Sequence, residues 1–135
     1  EKQEEEFITI FGDHNNPDYG TALELYYENG AVPGWQQNFI SAYATMHPWE
    51  DFAESFAAYL DMVSVVDIAF HTIPVNPIDP LSAGFKEIAD QYTQLGLLLN
   101  EMNRAVGLID PVPEVYTPAI LHKIEFVHDL LRNTA

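Results

Sequence analysis

The chain has 135 residues, 47% of them hydrophobic and 13% aromatic, and a formal net charge of −16 from 21 acidic and five basic residues. A chain of this length and apolar content buries roughly two-thirds of its unfolded surface, so a single domain needs no disulfide. There is no cysteine to form one, to bind zinc as a thiolate or to act as a nucleophile. The basic residues Lys2, Lys86, Arg104, Lys123 and Arg132 are scattered, which excludes nucleic acid and an anionic membrane surface as partners and leaves a metal ion, a cationic ligand or a basic protein face.

No apolar run approaches the roughly 20 residues of a membrane span, and no basic segment followed by an apolar stretch marks a signal peptide. The acidic stretch Glu1 to Glu6 reads as frayed and solvated. Phe7 to Phe11 is the only candidate for a short strand.

Pro17 suits a first helical position, and a short helix is expected from Asp18 to Glu28, closed by Asn29-Gly30. After a Val-Pro-Gly turn, a second helix is expected from Trp35 to Thr45, with Trp35, Phe39, Ile40 and Tyr43 on one face. Pro48 opens a longer helix reaching Phe70, whose apolar stripe is Trp49, Phe52, Ala53, Phe56, Leu60 and Val63.

The proline-rich segment 73–80 cannot be helical. A fourth helix is expected from Leu81 to Val106, with a stripe through Phe85, Ile88, Ala89, Tyr92, Leu95, Leu99, Met102 and Val106. Gly96 within it reads as a site of close helix packing. After a second proline-marked loop at 110–113, Thr117 caps a last helix that carries Ile120, Leu121, Ile124, Val127 and Leu131 on one side. The expected fold is all-α, a single domain of about five helices over residues 1–135.

The chemically distinctive segment is Tyr43-Ala44-Thr45-Met46-His47-Pro48-Trp49-Glu50-Asp51-Phe52-Ala53-Glu54. Glu50 and Glu54 are four apart, about 6 Å between Cβ atoms on one helix face. With His47 they compose a sensible ligand set for zinc. The same residues also read as helix-start acids facing the positive end of the helix dipole, with His47 capping the helix or stacking on Trp49. His71, His122 and His128 read as surface or packing residues. No phosphate-binding glycine loop and no nucleophile elbow is present.

The run from Ser41 to Glu54 resembles a segment of gluzincin-type zinc metallopeptidases, and more narrowly the bacterial family called putative zinc-binding metallopeptidase. Phe11-Gly12-Asp13, Asp18-Tyr19, Tyr26-Tyr27-Glu28-Asn29-Gly30 and Lys123-Ile124-Glu125-Phe126-Val127-His128 are similar to that family as well, so the resemblance covers nearly the whole chain.

In such enzymes two histidines of an H-E-x-x-H helix bind zinc, its glutamate is the general base, and a glutamate from a later helix is the third ligand. The resemblance assigns that third-ligand position to Glu50. It makes Glu54 the acid that accepts a hydrogen bond from a ligand histidine, and Tyr43 a stabiliser of the oxyanion.

No H-E-x-x-H occurs in these residues, and the resemblance places that helix, with a cysteine-rich zinc ribbon, before Glu1. The chain is therefore expected to be the C-terminal portion of a longer enzyme, inactive and metal-free alone, with zinc and a peptide or protein substrate belonging to the intact protein. Loss of the upstream helix is expected to expose Trp49 or Phe52, a surface that a homodimer would cover. The alternative is a non-catalytic acidic helical interaction domain.

Overall fold

The computed structural model describes residues 1–73, 76–112 and 116–133. Among them the chain forms five α-helices and no strand: α1 (Lys2–Phe11), α2 (Tyr19–Asn29), α3 (Pro48–Thr72), α4 (Phe85–Ala105) and α5 (Pro118–Asn133). The all-α expectation holds. The five helices are not the expected five, however. None is long and apolar enough to cross a membrane, among the described residues. Two compact units emerge, one of residues 1–58 with 117–135 and one of residues 59–116.

The first unit is built around phenylalanine. The acidic start and the strand candidate Phe7 to Phe11 are together α1, contrary to the sequence reading. Phe7 and Phe11, four apart, stack at 4.9 Å on one face of that helix. Phe11 meets Phe52 of α3 and Phe126 of α5 edge-on, each at 5.6 Å. Four rings from three helices make a core that neither a strand nor a frayed tail could supply, and such edge-to-face pairs add about 0.5–1.5 kcal/mol each beyond burial. Packing of this kind, rather than propensity, holds so acidic a helix together.

The helix α2 matches its expected span, but Pro17 lies before it. The N-cap is Asp18, whose carboxylate accepts the backbone N–H groups of Gly20 and Thr21. The Thr21 hydroxyl also donates to it and holds the Asp18 carboxyl below its ordinary range. Gly30, at φ 74°, ends the helix.

The expected helix from Trp35 to Thr45 does not form. Two short 3₁₀ turns, Trp35–Gln37 and Tyr43–Thr45, stand in its place. The backbone carbonyls have other partners: the Thr117 hydroxyl donates to Gln37 O, Lys123 Nζ donates to Asn38 O, and the Thr45 hydroxyl donates to Ala42 O. Side chains that compete for backbone groups in this way favour turns over helix.

The helix α3 forms where expected, but its buried line is shifted. In the first unit it buries Asp51, Ser55 and Ala58; in the second, Tyr59, Met62, Val66 and Ala69. The stripe expected through Trp49, Ala53 and Leu60 is displaced by about one residue, or ~100°; Trp49 is 52% exposed. The displacement follows from Asp51, drawn inward to Lys123 Nζ at 2.6 Å. An apolar pattern cannot register an ion pair.

In the second unit α4 starts at Phe85 rather than Leu81. The Asp79 carboxylate accepts the N–H of Leu81, and its carbonyl accepts those of Ser82 and Ala83, closing a turn first. Gly84 is the N-cap, and the Glu87 carboxylate reaches back to its N–H at 3.0 Å. The first half of the expected stripe is buried. Beyond Tyr92 the buried line runs through Gly96 and Asn100, leaving Leu99, Met102 and Val106 exposed.

Gly96 permits a close approach, but of the loop residue Val112 rather than of another helix. A Cβ at position 96 would stand 2.7 Å from Val112 Cγ1. The Asn100 side chain donates to Val112 O and accepts from Val112 N, fixing that loop. Pro74 and Val75 of the first proline-rich segment, and Pro113 of the second, lie outside the described residues.

Candidate functional site

The first turn of α3 carries the candidate site. His47 is its N-cap. The N–H groups of Glu50 and Asp51 bond to His47 O, and the His47 Nδ1 accepts the N–H of Trp49 at 3.1 Å. An accepting Nδ1 leaves the proton on Nε2, which lies 3.1 Å from His14 O and donates to it. His47 is 2% exposed. Both ring nitrogens are committed, so of the two readings of this histidine the cap is realised, and neither nitrogen offers a lone pair to a metal. The ring also meets Trp49 edge-on at 5.1 Å.

Glu50 is half-buried, and its Oε1 accepts the hydroxyl of Tyr19 at 2.7 Å. Tyr19 sits at the first position of α2, placed there by the Asp18 cap. Its ring packs against both His47 at 5.2 Å and Trp49 at 6.2 Å. The Glu50 carboxylate raises the Tyr19 hydroxyl well above the ordinary phenol range, and the nearby Tyr43 hydroxyl adds to the effect. Tyr43 lies on the second 3₁₀ turn. The structure thus ties Glu50 to a residue that has no role in the sequence reading. The Asp18-Tyr19 dipeptide enters the sequence pattern only as part of the resemblance, and nothing in its spacing to Glu50 announces the contact.

Glu54 lies one turn further along α3, half-buried. Its charge acts on Asp51, helping to raise that carboxyl. The larger cause is burial, which pushes Asp51 up to about 6 against the opposing pull of Lys123. Lys123 is itself buried, donates to Asn38 O at 2.6 Å and lies 4.0 Å over the Phe39 ring. Asp51 Oδ1 and the Ser55 hydroxyl, both buried, have no hydrogen-bond partner among the described residues.

Among the described residues no three histidines, aspartates or glutamates come together as a metal-binding group. What the site does offer is one glutamate carboxylate with a single oxygen steadied by a phenol. That fits a carboxylate contributing one bond to an ion whose other ligands come from elsewhere, because metal-ligating carboxylates are themselves held by hydrogen bonds.

Comparison with known proteins gives this geometry its context. Residues 1–130 match the family described as "Putative zinc-binding metallo-peptidase". The chain belongs to that family. It is 37% identical over 137 aligned positions to an uncharacterized protein of Mycobacterium bovis, and equally to uncharacterized proteins of two strains of Mycobacterium tuberculosis. Each alignment covers 96% of this chain and 39% of the relative, so the chain spans about two-fifths of the curated relatives it matches. No solved structure matches it significantly.

Proposed function

We propose that this chain forms part of a zinc metallopeptidase in which Glu50 is one of the protein ligands of the ion and the start of α3, with Tyr19 and Tyr43, is one wall of the substrate cleft. The observation that carries the reading is the Glu50–Tyr19 hydrogen bond of 2.7 Å, in a chain of a family described as zinc-binding. A ligand carboxylate must be aimed before the ion arrives, and a phenol on one oxygen aims it. Zinc, once bound, polarises a carbonyl and lowers the pKa of a water to about 7.

The remaining ligands and the general base belong to the gluzincin pattern and would lie outside these residues. Tyr43 would donate to the oxygen on which charge develops, the peptide or protein substrate lying alongside. Glu54 would accept a hydrogen bond from a ligand histidine and fix its tautomer. The 135-residue chain alone is then neither a zinc protein nor a peptidase.

The test is zinc content by elemental analysis of the full-length protein, with and without Glu50→Ala. Loss of stoichiometric zinc and of peptide hydrolysis is expected. Glu54→Ala is expected to weaken zinc binding by about 10- to 100-fold. Tyr43→Phe is expected to leave zinc bound and to cost roughly 3 to 4 kcal/mol of transition-state stabilisation, as loss of an oxyanion donor does. Full-length protein that keeps its zinc after Glu50→Ala would return Glu50 to the role of a helix-start acid in a non-catalytic domain.

A further inference from the structure

The second unit carries an apolar groove that the zinc site does not use. It is a hollow of ≈ 330 Å³ between α3 and α4, walled by Val65, Ile68 and Ala69 on one side and Leu95, Leu98 and Met102 on the other. Ile68, Leu98 and Met102 are 63%, 53% and 59% exposed. Exposed apolar surface of this kind marks an interaction site. The walls present no charged side chain, with Thr72 the one polar residue among those lining the groove. A small-molecule pocket needs a few placed polar groups to orient its ligand, so the groove suits an apolar helix face instead.

The surrounding charge selects among such helices. Residues 59–116 carry eight acids and two bases, 8 − 2 = 6 negative charges in excess. Both bases are engaged within the unit, Lys86 with Asp90 and Arg104 with Glu101 and Asp110. Asp61 stands four residues before Val65, so an acid unpaired among the described residues flanks the α3 wall, while Glu101, three after Leu98 on α4, is balanced by Arg104. A second copy of the chain would bring another −16 charges to this face, and an anionic membrane surface would be repelled in the same way.

We infer that this groove docks a cationic amphipathic helix of a partner protein, with apolar anchors at positions i, i+4 and i+7 and lysine or arginine on its flanks. Anchors provide the burial; flanking cations provide the selection, since opposite potentials steer association and like charges suppress wrong partners. The inference is independent of zinc, so its failure leaves the Glu50 proposal untouched.

The experiment is titration of two fluorescently labelled helical peptides into the 135-residue protein. They share the same leucine anchors, one flanked by lysines and the other by glutamates. The lysine peptide is expected to bind saturably and at least about 10-fold more tightly than the glutamate peptide at low salt, with the gap narrowing as screening increases. Leu98→Gln combined with Met102→Gln, both at exposed positions, removes apolar wall without adding charge and is expected to cut lysine-peptide binding about 10-fold or more with the circular dichroism unchanged.

Ile68→Lys gives an independent arm if that pair disturbs α4, and should weaken the lysine peptide while sparing the glutamate peptide. Equal binding of the two peptides, or binding unaffected by all groove variants, overturns the inference. So does a concentration-dependent dimer of the protein that Leu98→Gln/Met102→Gln dissolves, because the occupant is then a second copy. A full-length protein that no longer takes up the lysine peptide overturns it too, because the groove is then filled from within the same polypeptide.

Discussion

Asp51 shows how a single residue can set the orientation of a helix. It is 1% exposed and paired with Lys123, which is 7% exposed. Its carboxyl is pushed from 3.8 up to about 6, chiefly by burial. The native state therefore binds this proton more tightly than the unfolded chain does. The stability it contributes is complete below about pH 4 and is lost as pH rises through about 6. Between pH 4.5 and 7.5 that loss is about 2 kcal/mol.

Urea unfolding of the wild type and Asp51→Asn at both pH values isolates the group, because the other acids cancel in the difference. The wild type is expected to lose about 2 kcal/mol relative to the variant on going to pH 7.5. A flat difference would mean that Lys123 offsets burial completely. Tyr19→Phe addresses the other residue that the sequence did not disclose. In the full-length protein it is expected to weaken zinc binding by about 10- to 100-fold while leaving the melting temperature of the 135-residue chain within a few degrees.

The candidate site was legible in part because Glu50, Glu54 and Tyr43 lie in one short run. Tyr19 was not, since its contact with Glu50 spans 31 positions and depends on where α2 is set down. His47 was read both as a ligand and as a cap. Only the hydrogen bonds at its two nitrogens decide between them.

At the scale of the element, what a helix buries is decided by its partners as much as by its own pattern. The expected stripe of α4 fails after Tyr92 because Gly96 and Asn100, rather than Leu99 and Met102, face Val112. Val112 is fixed by two hydrogen bonds with Asn100, accepting one at its carbonyl and donating one from its N–H, and cannot retreat far. Gly96→Ala is therefore expected to destabilise the protein by about 1–3 kcal/mol, the cost of an overpacked core, although alanine is the better helix former by about 1 kcal/mol at a neutral site. A stabilised variant in chemical denaturation would show that the 2.7 Å approach relaxes freely.

Thr117 caps α5, as its sequence position implied, by accepting the N–H of Ile120. It also donates to Gln37 O, 80 positions away, which helps explain why no helix runs from Trp35 to Thr45. Thr117→Ala is expected to cost about 1–2 kcal/mol in the same measurement. The local caps were readable; the tertiary hydrogen bond that denies the neighbouring segment its helix was not.

At the scale of the whole molecule, the apolar pattern carried further for the fold class than for the order of elements. The all-α class and the absence of a membrane-spanning helix among the described residues follow from the pattern. The strand candidate at Phe7 to Phe11 failed because its alternation is too short to separate strand from helix, and the ring cluster with Phe52 and Phe126 resolves it.

A homodimer through the exposed Trp49 is a proposal that sedimentation at several salt concentrations would test. Screening of the −16 charge should favour association as salt rises. The central claim concerns Glu50 and zinc. Its most direct test is anomalous diffraction at the zinc edge from crystals of the zinc-loaded full-length protein. Zinc is expected within about 2.0–2.2 Å of a Glu50 carboxylate oxygen, with the Tyr19 hydroxyl still on that carboxylate. A zinc ion fully ligated by other residues, with Glu50 bonded to Tyr19 and remote from the metal, would contradict it.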